Sequence, residues 1–251
     1  MLKFKRLIKL ASQPLQSKKE IKTSKTDCNS GMKTHQHKAV NTFEKVSKRE
    51  ESNVEFKEFP KIARLSRECT ITEKIDGTNA SIYIGEDGTF LTGSRTRWIT
   101  PQEDNYGFSR WAHENKEKLM GLGVGHHFGE WWGSGCQRGY DLPKGEKRFS
   151  LFNTYRWAAH GAELKQYPQQ DPRVFKSQEY PPDICHVVPV LYEGIFCTVT
   201  ADAFIETLKQ MGSIASPGFM KPEGIVIFHK AANQCFKKTI EKDEEPKGVR
   251  K

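Results

Sequence analysis

Six short segments carry side chains whose type and spacing could do chemistry. The first is Glu73-Lys74-Ile75-Asp76-Gly77-Thr78-Asn79. A run of Cys-Thr-Ile-Thr brings Lys74 to a strand end, and Asp-Gly turns the chain at once. A lysine held there partly desolvated has its pKa lowered, because burial disfavours the ammonium, and it becomes a nucleophile. Gly77 lets the backbone come close to a ligand. The competing reading is a solvated surface lysine ahead of a turn. The second segment, Gly93-Ser94-Arg95-Thr96-Arg97, sets two arginines on alternate positions after a strand. Alternate residues point the same way, so Arg95 and Arg97 could face one phosphate-bearing ligand. Charge guarding an exposed strand edge would give the same pattern.

The third segment, His126-His127-Phe128-Gly129-Glu130-Trp131-Trp132-Gly133, sets a carboxylate among bulky aromatics. A buried Glu130 must find a hydrogen-bonding or cationic partner, such as a ribose hydroxyl or a lysine. The paired histidines would point to opposite faces of a strand, which argues against a shared metal. Phe149-Ser150-Leu151-Phe152-Asn153-Thr154 reads as a core strand. Pro222-Glu223-Gly224-Ile225-Val226-Ile227-Phe228 reads as a Glu-Gly turn entering a buried strand. Gln234-Cys235-Phe236-Lys237-Lys238-Thr239 is a strand with lysines inside it.

Short β-branched and aromatic runs position these groups: 69–75, 80–84, 89–91, 127–132, 148–153, 187–192, 225–229 and 234–240. Glu86-Asp87-Gly88 is a hairpin signal. Two helices interrupt the strands. One carries Phe108, Trp111, Ala112 and Leu119 and ends at Gly121 or Gly123; the other is capped by Asp202 and stopped by Gly212. The pattern predicts an α+β chain with antiparallel sheets and no Rossmann-like alternation.

The 251 residues carry a net charge of +9, which invites a nucleic-acid reading. Residues 1–52 hold 13 Lys/Arg against 5 Asp/Glu, whereas residues 53–251 hold 27 against 26, so the surplus lies in the first fifth. Residues 1–52 are therefore expected to be a basic, disordered extension, either a plain tail or the product of a start codon placed ahead of Met32, with a nucleic-acid arm or a targeting piece as the alternatives, and 53–251 the folded domain. The six cysteines form no CxxC or zinc spacing, which fits reduced thiols and a cytoplasmic location. No apolar run is long enough to span a membrane.

The order of the six segments is more specific than any one of them. Lys-x-Asp-Gly, Ser-Arg, Phe-Gly-Glu, an apolar strand with Phe, Glu-Gly-Ile-Val and Phe-Lys-Lys together resemble the covalent nucleotidyltransferase superfamily of ATP-dependent polynucleotide ligases and capping enzymes. Within it, Glu-Lys-Ile-Asp-Gly-Thr-Asn and Phe-Gly-Glu-Trp-Trp-Gly are most similar to the ATP-dependent, phage-type RNA ligase family. The resemblance covers about residues 56–247. It implies a nucleotidyltransferase (ATP-grasp-like ligase) core of antiparallel sheets with flanking helices.

It also implies a reaction. Lys74 attacks the α-phosphate of ATP to form lysyl-AMP; AMP passes to a 5′-phosphate; a 3′-hydroxyl then displaces it. By the same resemblance, Glu73 and Ile75 lie near the adenine, Arg95 handles sugar and phosphate, Glu130 binds the ribose and Phe152 stacks on the purine. Glu223 sits near Mg²⁺ or Mn²⁺, and Lys237 contacts the α-phosphate with Lys238 as a second. The two lysines are adjacent where the family often separates them by one residue, so they should point to opposite faces. Only 12 residues follow Thr239, so no C-terminal OB-fold is expected, which favours RNA over DNA ligation or capping. The expected partners are RNA ends or nicks met by a monomer. DNA or RNA/DNA hybrid joining and an inactive nucleotide- or RNA-binding domain are the alternatives.

Overall fold

Among the described residues, ten strands collect into two sheets that meet at the Asp76-Gly77 turn. The computed structural model describes residues 57–62, 64, 65, 67–165, 178–241 and 243. The chain divides into units Met1–Ile62 and Ala63–Lys251. Of the first, only 57–62 are described, exposed and without regular structure; the expected extension 1–52 lies outside the described residues.

The smaller sheet contains β1 (Glu68–Lys74), β8 (Val190–Ile195), β9 (Gly224–His229) and β10 (Gln234–Thr239), in the order β10-β9-β1-β8. All its pairings are antiparallel. The larger contains β2 (Thr78–Ile84), β3 (Phe90–Gly93), β4 (Trp98–Ile99), β5 (Gly125–Gly133), β6 (Lys147–Leu151) and β7 (Cys185–Val187), in the order β4-β3-β2-β5-β6-β7. Its pairings are antiparallel except β6–β7, which is parallel. That departs from the all-antiparallel expectation, and the long connection 152–184 is what lets the chain come back in the same direction. The expected strand 187–192 is also two strands in different sheets. Pro189 has no N–H to donate to a ladder, so the run breaks there, and its carbonyl instead accepts from the Glu73 N–H at 2.9 Å.

Each sheet buries one face against helix. Ile82, Ile84, Trp131, Phe149 and Leu151 pack with Phe108 and Ala112 of α1 (Phe108–Glu114) and Leu119 of α2 (Lys116–Leu119). Cys69, Ile71, Ile225 and Ile227 pack with Phe204, Ile205 and Leu208 of α3 (Thr198–Met211). Each such side chain, fully buried, stabilises the fold by roughly 1.5–3 kcal/mol. The first predicted helix breaks at Asn115 and finishes in a 3₁₀ turn, Met120–Leu122, before Gly123 at φ 77°. The second starts at Thr198, earlier than expected, so Asp202 does not cap it. Gly212, at φ 79°, stops it as the sequence indicates. The chain is α+β, and among the described residues no helix is long and apolar enough to cross a membrane. Cys69, Cys136 and Cys185 are buried thiols, while Cys197 and Cys235 are exposed rather than core residues.

A third cluster, Ile75, Trp132, Tyr140, Val188 and Phe219, fills the junction where the turn passes between sheets. Ile75 is only 4% exposed there and packs against Trp132, Tyr140, Val188 and Phe219. Glu73 departs from expectation. Alternation along β1 puts it with Cys69 and Ile71 on the α3 side, where it is 1% exposed. Its carboxylate accepts from Ser213 Oγ at 2.5 Å and from the backbone N–H groups of Ile214 at 2.8 Å and Ala215 at 2.9 Å. Both oxygens are committed to the loop after α3, leaving none for a base. Burial raises its pKa, and these donors oppose the rise. Glu73→Ala orphans one buried and two partly buried donors and is expected to cost roughly 3 kcal/mol, read as a lowered urea midpoint at unchanged slope.

Candidate active site

β1 delivers Lys74 to the edge of the junction. Its cross-strand partner is Gly224, and the preceding Glu223 reaches over so that Lys74 Nζ donates to Glu223 Oε2 at 2.5 Å. The two side chains are 25% and 17% exposed, so the pair is partly desolvated and its charges are screened less than on an open surface.

Register decides which lysine of β10 joins them. Lys237 pairs with Val226, which pairs with Thr72; cross-strand partners share a face, and Thr72 shares that of Lys74. Lys238 pairs with Ile225, which pairs with Glu73 on the α3 side, and its Nζ lies 3.0 Å from Asp202 Oδ1. Lys238 therefore does not serve as the second phosphate contact; its charge is used against α3.

The turn after Lys74 is held from three directions. Asp76 N–H donates to the Tyr140 hydroxyl at 2.8 Å. Gly77 N–H donates to Glu130 Oε1 at 3.0 Å. Asn79 Nδ2 lies 3.5 Å from Glu130 Oε2. A Cβ on Gly77 would sit 2.4 Å from the Trp131 carbonyl oxygen and 2.7 Å from Trp132 Cβ, so this residue must be glycine for the turn to lie against β5. Burial pushes the Glu130 carboxyl up to about 7, although the Gly77 N–H and the Lys74 charge oppose it.

Arg138 was not foreseen. Its Nε donates to Asp76 Oδ2 at 2.9 Å and its Nη1 to the Lys221 carbonyl at 3.0 Å, tying the turn to the segment leading to Glu223. It lies in a loop without motif, and the only sequence signal was the need of Asp76 for a cationic partner.

A separate cleft on the larger sheet brings Arg95 and Phe152 together, with Asn79 and Phe128 also lining it. Asn79 thus joins the cleft to Glu130. Phe152 is 41% exposed, past the end of β6, and is not the core residue its apolar run suggests. Residues 94–97 form a closed turn, with Ser94 N–H donating to the Arg97 carbonyl at 2.8 Å. The alternation argument for Arg95 and Arg97 therefore fails, although both are exposed. His126 and His127 point to opposite faces as expected. His126 is exposed beside Tyr83, and His127 is buried with Nε2 donating to the Gly123 carbonyl at 2.8 Å.

Among the described residues no group of three or more His, Cys, Asp and Glu is arranged to hold a metal ion. Glu223 is a single carboxylate, partly exposed beside Lys74. That donor set suits Mg²⁺ or Mn²⁺ completed by phosphate oxygens and water.

The family model described as RNA ligase matches residues 67–242. Among solved structures, variants of Naegleria gruberi RNA ligase are similar. An apo form has a TM-score of 0.46 at 19% identity, covering 72% of this chain and 53% of that one. A form with AMP and Mn has 0.46 at 18%, with the same coverages. A form with ATP and Mn has 0.44 at 18%, again over 72% and 53%. The chain thus spans about half the length of these proteins. No curated protein matches the sequence.

The raised Glu130 carboxyl makes stability depend on pH. Between the ordinary carboxylate value near 4.5 and the folded value of about 7, the native state keeps a proton that the unfolded chain has lost. This contribution is full below about 4.5 and is lost as pH rises through about 7. Glu130→Gln should remove that slope, so the pH 5 to pH 8 stability difference in urea titrations shrinks by on the order of 2 kcal/mol.

Proposed function

The chain belongs to the RNA ligase family, whose model spans residues 67–242, and on that premise we propose that it is an ATP-dependent RNA ligase acting through lysyl-AMP. The observation that carries the reading is the convergence of Lys74, Glu223 and Lys237 on one side of the smaller sheet, with Glu130 fixed to the turn that follows the lysine.

Glu223 holds Lys74 Nζ at the strand end, so the amine is aimed before a nucleotide arrives. Lys74 Nζ, having given its extra proton to solvent, attacks the α-phosphorus of ATP. The N–P bond forms as the bond to the pyrophosphate oxygen breaks, and pyrophosphate leaves with the electron pair. Lys237, on the same face, offsets charge building on the α-phosphate oxygens. Glu130 accepts from a ribose hydroxyl while keeping the Gly77 N–H satisfied, and Phe152 stacks on the purine, with Arg95 beside it on sugar and phosphate. Mg²⁺ or Mn²⁺, when bound through Glu223 and the nucleotide, supplies neutralisation of phosphate charge. AMP then moves from Lys74 to an RNA 5′-phosphate, and a 3′-hydroxyl displaces AMP to seal the strand.

Incubation with Mg²⁺ and α-labelled ATP should leave label on the protein that survives denaturing gel electrophoresis. Lys74→Ala should abolish it, and Lys237→Ala should slow it about 100-fold, the scale of losing one transition-state charge partner. Lys238→Ala should stay within about threefold, since its charge faces α3. Absence of label from the wild-type protein would overturn the proposal, and label from GTP alone would point to capping chemistry. Phe152→Ala should weaken ATP binding by ~1–3 kcal/mol, measured by calorimetry.

A further inference from the structure

The face of the larger sheet turned away from α1 is exposed and aromatic beyond the nucleotide cleft. Register places the groups: Asn79 opposes Glu130, Ser81 opposes Phe128 and Tyr83 opposes His126, while Gly93 opposes both Ser81 and Trp98. Ile82 and Ile84, on the alternate positions, are the ones in the core. Along β5 this face runs outward from Trp132, 1% exposed in the junction, through Glu130 at 8%, to Phe128 at 57%. Trp98 is 50% exposed. The rings form one continuous group. Centroids are 4.6 Å apart for Tyr83–His126, 6.3 Å for Tyr83–Trp98, 5.9 Å for Trp98–His126 and 5.6 Å for His126–Phe128.

Soluble chains leave single apolar side chains exposed as a matter of course, whereas a contiguous aromatic surface marks a binding face. Two features identify the occupant. The 94–97 turn beside Trp98 carries Arg95 and Arg97, both exposed, which match phosphate. The platform is also continuous with the cleft of Phe152, because Phe128 belongs to both. Rings that accept base faces, beside guanidinium groups that accept phosphates, are the means by which a single strand is held without sequence reading.

We propose that this face is the track for a single-stranded RNA segment next to the ligation junction, its bases stacking on Trp98, Tyr83, His126 and Phe128 and its phosphates paired with Arg97, while Arg95 at the cleft stays with the nucleotide. The proposal rests on the RNA ligase reading, and its test is separable from that chemistry.

Of the five tryptophans, Trp131, Trp132 and Trp157 are at most 3% exposed and Trp111 is partly buried, so Trp98 is the indole a strand can reach. A short 5′-phosphorylated single-stranded RNA of mixed sequence, titrated into the full chain without ATP, should quench tryptophan fluorescence. Trp98→Phe should lose the quench yet bind within about threefold, whereas Trp98→Ala should bind ~5–100-fold more weakly, the worth of one stacked base. Both variants should form the ATP-derived label at the wild-type rate. RNA that binds without quench, or unchanged affinity in Trp98→Ala, would overturn the proposal. So would a dimer, seen by sedimentation, that Trp98→Ala dissolves without changing RNA affinity, since a second copy would then cover the face. A quench that persists in a wild-type protein forming no label would sustain the track and overturn the ligation chemistry instead.

Discussion

The hydrogen bond from Gly77 N–H to Glu130 is the contact on which the arrangement depends, because it closes the passage between the two sheets. A chain leaving β1 must cross to the other sheet within three residues and still present Lys74 to open space. It does so by pressing its backbone onto β5, at a distance that leaves no room for a Cβ. The carboxylate that receives the turn is buried, and burial makes its ionisation costly. The fold thus places a group of raised pKa next to the strand end that carries Lys74, through the same contact that joins its two sheets.

Around that joint, alternation divides the labour. On β1, Lys74 serves the site while its neighbour Glu73 fastens the loop after α3. On β5, Glu130 and Phe128 face the cleft side while Trp131 packs against α1. Neither β1 nor β5 is purely structural. A substitution on one face acts through packing and its immediate neighbour acts through charge, so adjacent positions carry unlike consequences.

Placement was legible where it depended on local pattern. Lys74, Glu130, Glu223 and Lys237 were all singled out by residue type and order, and they lie around the junction between β1 and β2, with the register of β10 agreeing with the reading that its lysines diverge. What failed depended on contacts distant in sequence. Glu73 was misassigned because its partners lie near residue 214, and Arg138 was missed because it lies in a loop without periodicity. Asp202 looked like a cap because it precedes an apolar stripe, yet Thr198 already begins the helix. Pro189 was a local signal that went unused, and it alone would have divided 187–192 between two sheets.

The pairing of Lys238 with Asp202 has a bearing on registration. Among the described residues β10 is an edge strand paired only with β9, and its first four residues are exposed. Slippage by one residue would exchange the two lysines between faces, turning Lys237 toward the helix and Lys238 toward the Lys74 side. Backbone bonds alone distinguish poorly between such neighbouring alignments, because every residue offers the same donor and acceptor. Asp202 breaks the degeneracy by rewarding one alignment with an ion pair. A helix behind the sheet thereby adds to the contacts that keep an edge strand in phase, beside the close approach of Gly224 to the Lys238 carbonyl.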